Sequence, residues 1–152
     1  MQLVFEKRAG GKYDRLRIIR DDRTEEIACP KIGGIPHDMV HFAVENVLGR
    51  EGYMRRVAAG EPLAFRMAAN IESDQMERLV EVMQADKLSG FPEAKDMIAM
   101  YRVTCEARGI EPYPVAEEDI AALRAEMARL GRLWDQTPEG GALALSFEQT
   151  TN

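Results

Sequence analysis

The chemistry this chain can do starts from its two histidines. They are the only two in the sequence, four residues apart in Ile35-Pro36-His37-Asp38-Met39-Val40-His41-Phe42-Ala43-Val44-Glu45. Read as a helix, that spacing puts both imidazoles on one face, a turn apart. Neutral imidazole ligates zinc, manganese or iron, so one divalent ion could sit between the two rings. Glu45 follows four residues after His41, and Asp38 stands beside His37. All four flank an apolar stripe of Val40, Ala43, Val44 and Val47, and a polar set at the edge of a buried stripe is where a cleft forms. His37, His41 and Glu45 are therefore the candidate metal ligands, and Asp38 is the candidate general base. Three protein ligands leave a catalytic ion an open position for water. Glu45 lies to one side of both rings, so a carboxylate from elsewhere, Glu51, Asp74 or Glu77, is the alternative third ligand. Such a site would activate water against an ester, amide or phosphate, and no feature of the sequence chooses among those bonds.

His37-Asp38-Met39-Val40-His41 resembles the His-Glu-x-x-His helix of zinc metalloproteases. The resemblance implies that His37 and His41 bind zinc and that Asp38 stands where that family has its glutamate base. It covers five residues, and Asp38 is one methylene shorter than glutamate. The same residues are similar to the His-Asp-x-x-His metal motif of some quinone-biosynthesis proteins. The further acidic residue of that motif has its nearest equivalent in Glu51, ten residues after His41, which is not the spacing of that motif.

Other routes to chemistry are thinner. Cys29 and Cys105 are far apart and form no CxxC pair, so they read as two free thiols in a reducing compartment. Ser73, Ser89 and Ser146 lack a nucleophile-elbow context. The acidic runs Asp21-Asp22, Glu25-Glu26 and Glu117-Glu118-Asp119 read as solvated faces. Gly33-Gly34 reads as a hinge, because no phosphate-cradling glycine motif surrounds it.

Composition narrows the partners. Of 152 residues, 30% are charged and 45% hydrophobic, with a formal net charge of −6. Residues 1–35 carry eight Lys/Arg against six Asp/Glu, and the remainder twelve against twenty. An acidic surface repels phosphate, so no nucleic-acid partner is expected. The opening Met1-Gln2-Leu3-Val4-Phe5-Glu6-Lys7 turns charged at once and reads as no secretory signal. No apolar run approaches the ~18 residues of a membrane span. These features predict a cytoplasmic protein without a membrane partner.

Elements that could position the histidines follow from periodicity. Residues 2–8 and 13–20 alternate as strands around the turn Ala9-Gly10-Gly11-Lys12, and Thr24–Cys29 makes a third after Asp21-Asp22-Arg23. Pro36 suits the first position of a helix that runs to Val47 or Leu48 and stops at Gly49. A short helix from Tyr53 to Ala59 is expected to turn Arg55 and Arg56 outward. Residues 63–69 read as a short helix or a buried connection. Asn70 or Ser73 caps a helix with the stripe Met76, Leu79, Val80, Met83. Met97, Ile98, Tyr101 and Cys105 mark the next, which Gly109 closes. After the extended Glu111-Pro112-Tyr113-Pro114, a long helix from Val115 to Trp134 carries Ile120, Leu123, Met127 and Leu130. Leu143, Leu145 and Phe147 alternate as a last strand, and the tail 149–152 is expected to fray.

The reading is a single α+β domain over residues 1–152, with a small antiparallel sheet covered by about five helices. The sheet is an N-terminal three-stranded meander joined by the C-terminal strand. Its function is a divalent-metal site on the helix that starts at Pro36, hydrolase-like if catalytic. The alternative is a non-enzymatic protein-binding or assembly domain. It would act as a homo-oligomer or through a protein partner, at the sheet edge near residues 13–20 or on the methionine-bearing helices.

Overall fold

A computed structural model of the chain describes residues 1–62 and 69–147. The segment 63–68, expected as a short helix or a buried connection, and the tail 149–152, expected to fray, lie outside the described residues. Strands β1 (Gln2–Glu6), β2 (Tyr13–Ile19) and β3 (Thr24–Pro30) form the meander, and β4 (Ala142–Ser146) closes it. The order is β3-β2-β1-β4, with every pair antiparallel. Gly10 and Gly11 make the first turn at φ 68° and 71°, in the left-handed region that a Cβ disfavours.

Register selects the sheet's inner face. Leu3 lies opposite Ile18 and Leu145, and Phe5 opposite Leu16 and Leu143. Leu3, Phe5, Leu16 and Ile18 are all buried. The outer face carries cross-strand ion pairs, Arg17 with Glu6 at 2.8 Å and Arg15 with Glu26 at 3.3 Å. Exposed pairs of this kind contribute about 0–1 kcal/mol each, so the inner face holds the sheet. Residues 13–20, expected at an edge, are interior instead. β2 pairs with β1 on one side and β3 on the other, and β4 pairs with β1, so the edges fall to β3 and β4.

Five helices follow in chain order: α1 (His37–Leu48), α2 (Tyr53–Ala58), α3 (Ile71–Gln84), α4 (Ala94–Glu106) and α5 (Glu117–Gln136). Met39, Phe42 and Ala43 of α1 pack with Leu130 and Trp134 of α5 onto the sheet's inner face. Val40 and Val44 of α1 face the other way, into a second cluster with Met76, Leu79, Val80 and Met83 of α3 and Met97 and Tyr101 of α4. α1 is therefore enclosed between sheet and helices, and every residue from Met39 to Glu45 is buried. One apolar stripe is expected from the sequence. The structure gives α1 two, because a helix between two layers must satisfy both.

Local signals set most helix ends. Pro36 is the residue before α1 rather than its first position, and Gly49 ends the helix at φ 63°. The Asn70 side chain accepts the Ser73 backbone N–H at 3.0 Å and starts α3. Arg56, expected to face outward, is 5% exposed. It donates to both carboxylate oxygens of Glu61, at 2.7 and 3.0 Å, and to Ser73 Oγ at 3.1 Å. Of the methionines expected to offer a contact surface, Met76, Met83 and Met97 fill the core, while Met100 is exposed. Among the described residues, no helix is long and apolar enough to cross a membrane.

Candidate metal centre

The two histidines do converge. Their rings meet edge to face with centroids 4.9 Å apart, as an i, i+4 pair on one helix should. The third group comes from α3, which packs beside α1. Glu77 reaches His41 Nε2 with Oε2 at 2.7 Å and His37 Nε2 with Oε1 at 3.4 Å. One ligand atom from each of His37, His41 and Glu77 lies within 4.8 Å of the other two. His41 is buried, whereas the His37 and Glu77 side chains are 38% and 32% exposed. The cluster thus has a closed side at His41 and an open side toward solvent.

Behind each ring stands an acceptor. His37 Nδ1 lies 2.8 Å from Gln84 Oε1, and His41 Nδ1 lies 3.3 Å from Glu45 Oε2. With the Nδ1–H donated in each case, both Nε2 lone pairs are left to face Glu77. Metal-binding histidines in proteins are held in this way, their second nitrogen fixed by an outer carboxylate or carbonyl.

No family model, characterised protein or solved structure matches this chain. What the centre can do is therefore read from its own chemistry. Tetrahedral donors about 2.0–2.1 Å from zinc lie about 3.3 Å from one another. In the metal-free chain the Nε2 atoms of His41 and His37 lie 2.7 and 3.4 Å from different oxygens of Glu77, and one donor atom from each group lies within 4.8 Å of the others. Two imidazoles and one carboxylate also form a mixed set that zinc, manganese and iron accept. His37, His41 and Glu77 make a candidate divalent-metal site.

In the metal-free chain, the same groups hold each other as an ion-pair cluster. Burial is the largest effect on His41 and opposes its charge, but hydrogen bonds and charge from Glu45 and Glu77 outweigh it and raise its pKa to about 9. The bond to Glu77 raises His37 as well, against burial. Burial alone would lift the Glu77 carboxyl, yet the two histidines hold it well below the usual carboxylate range. Asp38 and Cys29 form a separate pair, with the thiol Sγ 3.6 Å from Asp38 Oδ2. Burial raises the Asp38 carboxyl, and burial followed by the Asp38 charge pushes the Cys29 thiol up to about 12.

Glu45, put forward by helical spacing as the carboxylate ligand, is not one of the three converging groups. It is fully buried, and its oxygens accept the backbone N–H groups of Gly52 at 3.1 Å, Met54 at 3.0 Å and Arg55 at 2.8 Å. Asp38 is likewise outside the cluster, facing β3. Glu77, one of three alternative carboxylates read from the sequence, is the one that arrives. Its signal is faint: Ser73, Glu77 and Gln84 form a polar row beside the apolar stripe of α3. The pairing of α3 with α1 decides that this row meets the histidines.

Proposed function

We propose that this chain binds one divalent cation through His37, His41 and Glu77, and that it uses the ion for hydrolysis. The observation that carries the reading is the pair of outer acceptors. Gln84 and Glu45 hold the two Nδ1 atoms and leave both Nε2 atoms facing one carboxylate. Bound there, zinc, manganese or iron would supply an acidified water and a Lewis acid toward an ester, amide or phosphate. The chain's own part is to aim the three donors, to close the His41 side, and to leave the His37 and Glu77 side open to substrate. Asp38, the candidate base from the sequence, faces Cys29 on β3 and not the three donors, so this reading assigns it no proton transfer. Both cysteines are free and buried, which suits the cytoplasm, and the net charge of −6 argues against a nucleic-acid substrate.

The test is a calorimetric titration of chelator-treated protein with Zn2+, Mn2+ and Fe2+, with elemental analysis of the untreated protein. One equivalent of at least one ion is expected to bind, and the double variant His37→Ala, His41→Ala should bind none while keeping its fold. A wild-type chain that takes up none of the three ions ends this reading.

A second reading has its own observation. On the outer side of α4, Met100 and Val103 are exposed, with Phe91 and Leu88 in the turns before the helix. This surface favours a non-enzymatic assembly domain. Analytical ultracentrifugation decides it: a monomer at micromolar concentration, unchanged by Val103→Glu, argues against assembly.

A further inference from the structure

The short helix α2 touches both helices that carry the metal donors, and it does so one turn from a donor each time. On α1, Glu45 stands four residues after His41. Its carboxylate takes the His41 Nδ1 and the N–H groups of Gly52, Met54 and Arg55, the start of α2. On α3, Ser73 stands four residues before Glu77, and its Oγ accepts from Arg56 in the middle of α2. The Tyr53 ring meets His41 edge to face, with centroids 5.6 Å apart. The loop into α2 adds two ties to α3 through Glu72: the Glu51 N–H at 3.0 Å and Arg50 Nε at 3.0 Å.

Glycine at position 52 is part of this join. A Cβ there would stand 2.6 Å from Glu45 Cδ. The backbone of Gly52 is ordinary extended chain, φ −131°, so glycine is required by the close approach of the carboxylate and not by an unusual dihedral.

We infer that filling the metal site and seating α2 are one coupled event, with Glu45 as the positioning residue that links them. The inference rests on the metal reading above. An ion shared by His37, His41 and Glu77 draws α1 and α3 to a single separation. In the chain as described, with the three groups already drawn together, Glu45 and Ser73 both reach α2. If α2 lifts away, Glu45 loses three of its donors and is free to swing, and His41 loses the partner that aims its Nε2. Coupling of this kind is reciprocal: the factor by which the ion favours seated α2 equals the factor by which seated α2 favours the ion.

Hydrogen exchange of the full chain, with chelator and with saturating Zn2+, reads one side of that equality. Zn2+ should slow exchange across residues 53–58 by roughly 5- to 150-fold. Zn2+ affinity reads the other side. Glu45→Gln should weaken binding roughly 10- to 100-fold and remove the Zn2+ effect on α2. Because a change at so buried a carboxylate could unfold the chain, Ser73→Ala provides an independent arm. Ser73 is not one of the donors, so a purely local role for it predicts unchanged affinity. Coupling predicts faster exchange in α2 together with Zn2+ binding weakened by roughly 2- to 30-fold. Zn2+ binding to the wild type with exchange in α2 unchanged overturns the coupling and leaves the metal reading intact. So does Ser73→Ala loosening α2 at undiminished affinity. Failure of the wild type to bind Zn2+, Mn2+ or Fe2+ overturns the coupling at its root.

Discussion

At His41, burial and neighbouring charge pull in opposite directions, and the carboxylates win. The consequence is a pH dependence of the metal-free protein. His41 is raised to about 9 in the folded chain and His37 is raised too, against about 6.5 for unfolded histidine. Their contribution to stability is fully present below about pH 6.5 and is lost as pH climbs through about 9. Glu77 is depressed, so its share is present above about pH 4.3 and fades on acidification. These describe one cluster seen from both ends and are not to be added. In chelator, the midpoint of urea unfolding should fall between pH 6 and pH 10 in the wild type, and fall less in Glu77→Gln. Equal falls would show that Glu77 contributes nothing to the pH dependence. Cys29 gives a second check at this scale. A buried thiol pushed up to about 12 is almost wholly protonated at pH 8, and only the thiolate is nucleophilic. Thiol reagents should leave it unlabelled in native protein and label it rapidly in denaturant.

Among the elements, the join between α1 and α2 carries the sharpest steric demand. Gly52→Ala puts a methyl inside the Glu45 carboxylate. The expected cost is about 1–3 kcal/mol, as for other overpacked sites, measured by urea denaturation. A change below about 0.5 kcal/mol would mean that the loop yields freely. The Asn70 cap is more ordinary. Asn70→Ala removes an acceptor for the Ser73 N–H and should cost about 1 kcal/mol. Elements of this kind were legible in the sequence because their signals are local. Glycine at position 49, asparagine at 70 and alternation in residues 2–6 and 142–146 act over one turn or one strand. Arg56 shows where local reading stops. Its wheel position is a surface position, yet Glu61, five residues on, and Ser73, from α3, cover it. The same holds for residues 13–20: alternation identifies a strand but does not say which strands will flank it.

For the whole molecule, the two hydrophobic clusters meet on α1, which packs against sheet and helices at once. An ion that joins α1 to α3 therefore acts on the centre of the fold and not on a peripheral loop. Ligand binding to the native state alone stabilises by mass action, about 2.7 kcal/mol at a free-ion concentration one hundred times Kd. A shift of that size should raise the thermal midpoint by several degrees, roughly 2–4 °C per kcal/mol for a chain of this length. Calorimetric scans with and without the ion would show it. The double variant His37→Ala, His41→Ala should lose the shift entirely. A shift that survives in that variant would place the ion elsewhere.

The sequence by itself determined the α+β class, the four strands, the ends of most helices and the sharing of one helical face by His37 and His41. Each depends on interactions between residues a few positions apart, which the order of side chains encodes directly. Only the tertiary structure decided which carboxylate faces both imidazoles at their Nε2 atoms. Glu45 is nearer in sequence, but its oxygens are taken by the start of α2, and Glu77, thirty-six residues beyond His41, arrives on a separate helix. That choice depends on α1 and α3 packing side by side, which is set by the fit of two apolar faces and by no spacing within either helix.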